Sequence, residues 1–510
     1  YIMINHAHRS TTVSQMAGLR MSGSQGPGTN ASATTPIADL HPILQQIASL
    51  RARYSVLLAV TAAFCVPLKL SFTYIALTPL VLLWIFGGGL NRRSVSPREP
   101  GATLLIFLGV TACVSLFGFN PLYSVWKTLG AALFVCTVFA IRDIADRRVR
   151  WKLLIAICLG QSIAALHTVL QSGFPDLIPP MFVGRVTESG QLALTVIVTL
   201  GMILAASIGE RKLNETTSSV QLIQTWISGL FLTVLSITIA FGSFDQPSHS
   251  PYQTIILVGF SLFLALGAYS VIKLLKSFSS GDLQFKPALL ALVGLIMPLL
   301  LAALCINLKR GPWLGVLIGA AVLLATYRPK LVPILLLLAL SVGLGVEPVR
   351  ERLAESSAHF FIYGGRSEMW DIGLDLMERY PFGVGAENSP ILQKFSPEIP
   401  SQLRHFHSNL INVGAEVGIL GLSVFAWAII VCIRYGFRVP RNDLKSSLNW
   451  PIAYGISCAI LAWQVAGLVE YNFGDSEVKL LAFMLLGIVT RMVNDLDVSK
   501  PMVTITNPLS

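Results

Sequence analysis

Apolar residues in this chain come in long blocks separated by short polar intervals. Fourteen blocks can be marked, at 54–68, 71–89, 102–119, 122–141, 151–171, 191–208, 223–242, 253–274, 287–307, 312–327, 331–346, 408–433, 450–469 and 477–494. Most approach the ~20 residues that a helix needs to cross a bilayer core. The pattern predicts an all-α polytopic membrane protein with about fourteen transmembrane helices. Ahead of the first block, Leu40, Ile43, Leu44, Ile47 and Leu50 recur at helical spacing, and Arg51 and Arg53 follow. This predicts an interfacial helix over 38–53. Residues 1–37 are rich in Ser, Thr, Gly and Ala and have no long apolar run, so they are expected to form a disordered cytoplasmic tail. Residues 495–510 form a second tail.

The polar intervals carry the sidedness. Arg92, Arg93 and Arg98 follow the second block, Arg142, Arg147, Arg148, Arg150 and Lys152 the fourth, and Arg434, Arg438, Arg441 and Lys445 the twelfth. Intervals after odd-numbered blocks hold few basic residues. By the positive-inside rule both termini are then cytoplasmic. One interval, 347–407, is large and falls on the periplasmic side. Within it Ser367 is expected to cap a helix whose Trp370, Leu374 and Met377 share one face. Pro381 should stop that helix, and Gly383 and Gly385 should allow a sharp turn.

Composition supports the membrane assignment. Charged residues are 12% of the chain and hydrophobic ones 54%, whereas soluble domains are about 25% charged. The net charge of +11 follows from the basic cytoplasmic loops, and no basic–aromatic stripe points to nucleic acid. None of the seven cysteines is in a CxxC pair, so no disulfide or zinc framework is expected. HExxH, Walker and GxSxG motifs are absent from the sequence.

Candidate chemistry gathers on the periplasmic face. Arg185 precedes the sixth block, Arg310 lies between the ninth and tenth, and His405 and His407 stand at the head of the twelfth. A guanidinium is a rigid fork suited to phosphate oxygens, and its plain alternative is snorkelling to lipid headgroups. His407 can act as a base near neutral pH, or simply cap a span as an interfacial polar residue. On an ideal helix Gly414, Gly418 and Gly421 fall on the His407 face, within about 40°. Such a seam lets a second helix pack close. If the helix extended back to His405, that ring would point about 160° away from His407. Glu416 lies on the opposite face with no visible partner and is read as structural glue before proton relay. No metal ligand set is assigned, although Glu368, Asp371 and Glu387 share the large loop with the two histidines.

These motifs resemble those of O-antigen ligases. His407-Ser408, nine residues, then Gly418-Ile419-Leu420-Gly421 match the family's histidine motif. Lys309-Arg310-Gly311-Pro312-Trp313-Leu314 match its S-R-G-x-W-L, with Lys309 in place of Ser. Arg185 before Gly190-Gln191-Leu192-Ala193, and Arg366, Trp370 and Pro381-Phe382-Gly383-Val384-Gly385, give close variants of two more. Leu422 stands where many ligases have Thr. The family's usual count is about twelve spans, and blocks 223–242 and 253–274 are read as a two-span insertion that preserves sidedness.

The resemblance implies an inverting membrane glycosyltransferase with no cofactor. Its donor is a glycan on undecaprenyl diphosphate and its acceptor a sugar hydroxyl of lipid A–core, in the bacterial inner membrane with a periplasmic active site. It implies His407 as the catalytic base and Arg185 and Arg310 as diphosphate ligands. Arg366, His405 and Trp313 are left as substrate-binding or structural residues. An O-antigen polymerase or a protein O-oligosaccharyltransferase would use the same donor. A flippase would need contacts on both faces, and the residues singled out lie on one.

Overall fold

The computed structural model describes residues 42–90, 96–173, 184–210, 285–362, 365–394, 399, 404–441 and 449–498. The predicted tail 1–37 and blocks 223–242 and 253–274 lie outside them. The described residues are helical throughout, apart from turns and short connections. In chain order the helices are α1 (Pro42–Cys65), α2 (Leu70–Trp84), α3 (Pro100–Ser115), α4 (Pro121–Ile144), α5 (Arg147–Gly173), α6 (Arg185–Glu210), α7 (Phe285–Ile306), α8 (Arg310–Tyr327), α9 (Leu331–Gly345), α10 (Glu347–Ala354), α11 (Ser356–Phe361), α12 (Arg366–Arg379), α13 (Asn409–Tyr435), α14 (Asn449–Ala466) and α15 (Ser476–Val498).

Each of the other twelve apolar blocks overlaps one of these helices. By length and apolar character, seven of the described helices can cross a membrane, or eight if the bent pair α9–α10 counts as one span. This is a multi-pass helical membrane protein. The expected fourteen spans are not reached among the described residues, partly because helices such as the sixteen-residue α3 are short.

The interfacial helix expected over 38–53 is not a separate element. α1 runs unbroken from Pro42 to Cys65, since no Gly or Pro interrupts it near Arg51. Arg51 is buried instead of lying at headgroups. It donates to the Gly87 carbonyl at 3.0 Å and to Asp143 at 3.1 Å. Arg142 bridges the same Asp143 and Glu99, which ties α1, α3 and α4 together at one end of the bundle.

The core is sealed by small residues at helix crossings. α14 packs on both α6 and α8. Gly311, Gly315 and Gly319 of α8 each meet a backbone carbonyl of α14, from Ala466, Ala462 and Cys458. A Cβ at these positions would collide with backbone, so this is the close-packed glycine seam of the bundle.

The seam expected on α13 works differently. The helix breaks at Gly418 (φ 69°, ψ −175°). The loop after α12 enters the gap. Val384 and Gly385 N–H donate to the Ala415 and Glu416 carbonyls, each at 2.9 Å, and Ile419 N–H donates to Pro381 at 3.0 Å. Gly383, at φ +85°, lies against Glu416 and Gly418 backbone. Backbone carbonyls freed by the break are thus satisfied by the loop, as a low-dielectric setting requires. Gly414 meets the Met377 side chain of α12 and Gly421 meets Val417 of its own helix, so no second helix runs backbone-close along the seam.

α12 begins at Arg366 with Gly365 as its N-cap residue. Ser367 is therefore not the cap; its hydroxyl donates to the Phe360 carbonyl at 2.9 Å. The inward face of α12 is Met369, Gly373 and Leu376, with Leu374 exposed. The expected Trp370–Leu374–Met377 face is off by one helical position.

Candidate functional site

Phe406, fully buried, anchors the stretch that presents the histidines. Its N–H donates to Asn412 Oδ1 at 3.3 Å. His407 takes a left-handed φ of 49°, and helix α13 starts only at Asn409. The helical geometry that would separate the two imidazoles therefore does not apply. Their rings meet edge-on with centroids 4.2 Å apart, and His407 N–H donates to His405 Nδ1 at 3.3 Å. That bond marks His405 as the tautomer with its proton on Nε2.

Asn409 locks this turn to the loop between α14 and α15. Its N–H donates to the Gly467 carbonyl at 2.6 Å, its side chain to Asn472 at 2.9 Å, and it accepts from Phe473 N–H at 2.9 Å. The same loop carries Glu470. One Glu470 oxygen accepts from Arg366 Nη2 at 2.7 Å, and the other lies 4.0 Å from His407 Nδ1. That Nδ1 is buried and has no hydrogen-bond partner among the described residues. Glu470 was not singled out from the sequence. Its only signal was a lone carboxylate at the end of an apolar block.

His405, His407, Arg366 and Glu470 line one cavity of about 350 Å³, together with Lys309, Arg310, Arg352, Arg404, Tyr471 and Asp475. Arg310 Nη1 is buried there without a hydrogen-bond partner among the described residues. Arg185 is not in this cavity. It lines a neighbouring one of about 390 Å³ with Asn307, Pro348, Glu351 and Glu355. Trp313 lines neither cavity; its indole N–H donates to the Leu304 carbonyl at 2.8 Å and braces the α7–α8 turn.

Burial sets the charge states. It pushes His407 down to about 4, helped by Arg366 and Lys309. It does the same to His405, with His407 adding. Both rings are therefore neutral near pH 7. Burial raises Asp475 to about 6, and Glu477 adds to this. Burial also holds the Lys309 ammonium below its ordinary value; Glu470 opposes that shift, while Arg352, Arg366 and Arg185 reinforce it. The result is a basic cavity holding a neutral imidazole. Among the described residues no group of three or more His, Cys, Asp or Glu is placed to hold a metal ion.

Glu416 does have a partner. Ser389 Oγ donates to it at 2.6 Å, so its carboxylate ties α13 to the large loop. It also lines a mostly apolar cavity with Lys127, Lys479 and Glu387.

Residues 290–426 match the family model described as O-antigen ligase. That segment is similar to the O-antigen ligase family. It spans α7 to the first turns of α13 beyond the break, and so includes Arg310, Arg366, His405 and His407 but neither Arg185 nor Glu470. The O-antigen ligase match supports membrane glycosyl transfer at a coarse level, with a lipid-linked glycan as the class of substrate. No curated protein matches the chain.

Proposed function

We propose that the chain is an inverting, metal-independent glycosyltransferase that moves a glycan from undecaprenyl diphosphate to a sugar hydroxyl of lipid A–core. The observation that carries this reading is a neutral His407 in one cavity with the unpartnered Arg310 guanidinium nitrogen. The diphosphate is already a competent leaving group, so the protein has two tasks. It must neutralise the charge that develops on the departing oxygen, and it must remove a proton from the acceptor.

His407 takes the second task. With Nδ1 turned toward Glu470, Nε2 is left to accept the hydroxyl proton. The acceptor oxygen attacks the anomeric carbon as the carbon–oxygen bond to phosphate breaks, and that electron pair leaves on the diphosphate. Glu470 orients the ring and favours the imidazolium that forms, while Arg366 holds Glu470 in place. Arg310, and Arg185 from the adjacent cavity, take the first task. His405 supports the turn, accepting the His407 N–H.

The site is assigned to the periplasmic face of the inner membrane, with both termini cytoplasmic, from the alternation of loop charge. Reporter fusions at Asp375 should read periplasm and at Ser446 cytoplasm; a periplasmic signal at Ser446 inverts the site. Deletion in the native host, followed by a lipopolysaccharide gel, tests the reaction. Loss of the ligase leaves bare core with polymer still on the lipid carrier. Core bearing a single repeat would reassign the chain as a polymerase, and unchanged lipopolysaccharide would remove the lipid A–core acceptor.

A further inference from the structure

The two arginines expected to share a diphosphate line different cavities, and three residues line both: Leu308, Lys309 and Arg352. The partition between the cavities is therefore one apolar residue and two cations. Leu308 has a left-handed φ of 51°. Arg352 donates to its carbonyl at 3.3 Å, so α10 braces the turn that presents Lys309. The Lys309 ammonium acts electrostatically on both sides. It depresses the His407 imidazole on one and is itself influenced by Arg185 on the other.

Inversion requires the leaving oxygen to depart on the side of the anomeric carbon opposite the attacking one. With the base in the first cavity, the leaving group points away from His407. The second cavity offers Arg185, which the first lacks. Each phosphate of a diphosphate diester is an anion, so two adjoining chambers that each offer an arginine and share Lys309 between them match its charge distribution.

We propose that Lys309 binds the donor diphosphate at the junction of the two cavities, with one phosphate beside Arg310 and the other beside Arg185 and Arg352. This rests on the glycosyl-transfer reading above. The family pattern has Ser at this position, so the bridging cation belongs to this chain's version of the site. A lysine suits a bridge, because its rotatable ammonium can donate to two phosphates at once, whereas a guanidinium grips one in a fixed plane. The charged and titratable groups that line the two cavities with Lys309 are Arg185, Glu351, Arg352 and Glu355 on one side, and Arg310, Arg352, Arg366, Glu387, Arg404, His405, His407, Glu470, Tyr471 and Asp475 on the other. Arg352 is already paired with Glu355 at 3.2 Å and Arg366 with Glu470 at 2.7 Å, so a bound anion is met chiefly by Lys309, Arg310 and Arg185.

The test is binding of undecaprenyl diphosphate and undecaprenyl monophosphate to the purified full chain in nanodiscs, for wild type, Lys309→Ser and Lys309→Arg. Lys309→Ser should weaken the diphosphate by about tenfold, the order expected for one hydrogen bond to a charged group. It should weaken the monophosphate by less than about threefold, since one phosphate can be served by the arginines alone. Wild-type affinity should fall on the alkaline side, below the ordinary lysine range, and Lys309→Arg, which keeps the charge but not the bridge, should lose that limb and bind the diphosphate less tightly than wild type, though better than Lys309→Ser. Unchanged diphosphate affinity in Lys309→Ser, or equal weakening of both probes, overturns the bridge. Failure of the wild type to bind undecaprenyl diphosphate at all overturns the donor assignment instead.

Discussion

Arg366 and Glu470, 104 residues apart in sequence, form a 2.7 Å ion pair in the wall of the cavity that His407 lines. Their side chains retain 21% and 10% exposure, so the pair is shielded but not dry. Glu470→Gln keeps the shape and removes the charge that favours a protonated His407. Glycan transfer should fall on the order of 10²-fold, within the range for disabling a general base. Arg366→Gln should lower stability by about 1.5–3 kcal/mol, the scale for a hydrogen bond to a charged group. The double variant should lose less than the sum of the singles, in melting temperature as in rate. Strict additivity would mean that the two side chains act independently.

His407→Ala should reduce transfer by about 10²–10⁴-fold with expression and insertion intact, and His405→Ala should be milder. The structure also changes the expected pH dependence. From sequence alone the acid limb belongs near a pKa of about 6.5. A base works only while unprotonated, and burial lowers His407 to about 4. The rate should therefore stay level as pH falls from neutrality to about 5 and drop only as it nears 4. A measured limb near 6.5 would mean that the ring is solvated in the working enzyme.

Gly418→Ala and Gly383→Ala each place a side chain at a positive φ and against backbone of the opposing segment. Either should cost roughly 1–3 kcal/mol or more in stability. Gly421→Ala should be milder, because Gly421 is not at a positive φ and its crowding comes from the Val417 side chain of its own helix, not from opposing backbone. Thermal unfolding in detergent ranks the three. Equal effects would mean that the loop does not hold the helix break in solution.

Excess EDTA should leave the purified enzyme's activity unchanged, since arginines serve the leaving group in this mechanism. Activity lost to EDTA and restored by a divalent ion would recast His405, His407 and a loop carboxylate as ligands.

Much of the scaffold was legible from pattern alone. Apolar blocks located the long apolar helices among the described residues to within a few residues, apart from α1's extension to Pro42, because transbilayer length dominates their sequence; α10 and α11, inside the large loop, had no such signal. Close contacts were not legible. Gly414, Gly418 and Gly421 have helix-seam spacing, yet the packing seam is Gly311, Gly315 and Gly319, since which helices meet is set by tertiary topology. The orientation of the imidazoles was misjudged for a local reason: His407 leaves helical dihedrals before α13 begins. Glu470 stayed hidden because a single carboxylate has no periodicity to betray it.

Helix α9 buries none of its residues, and at its end the chain turns by 89° into α10. Its outer surface asks nothing of sequence except that it dissolve in hydrocarbon. From that bend hangs Arg352. Bilayer thickness thus becomes a dimension of the site, because a thinner or thicker membrane tilts or shifts a poorly packed span at little energetic expense. We expect donor KM to depend on acyl-chain length in reconstituted vesicles, while the tightly sealed α8–α14 crossing keeps Arg310 in register. The lipid would then act as a tuning screw on one wall of the diphosphate site and leave the opposite wall untouched.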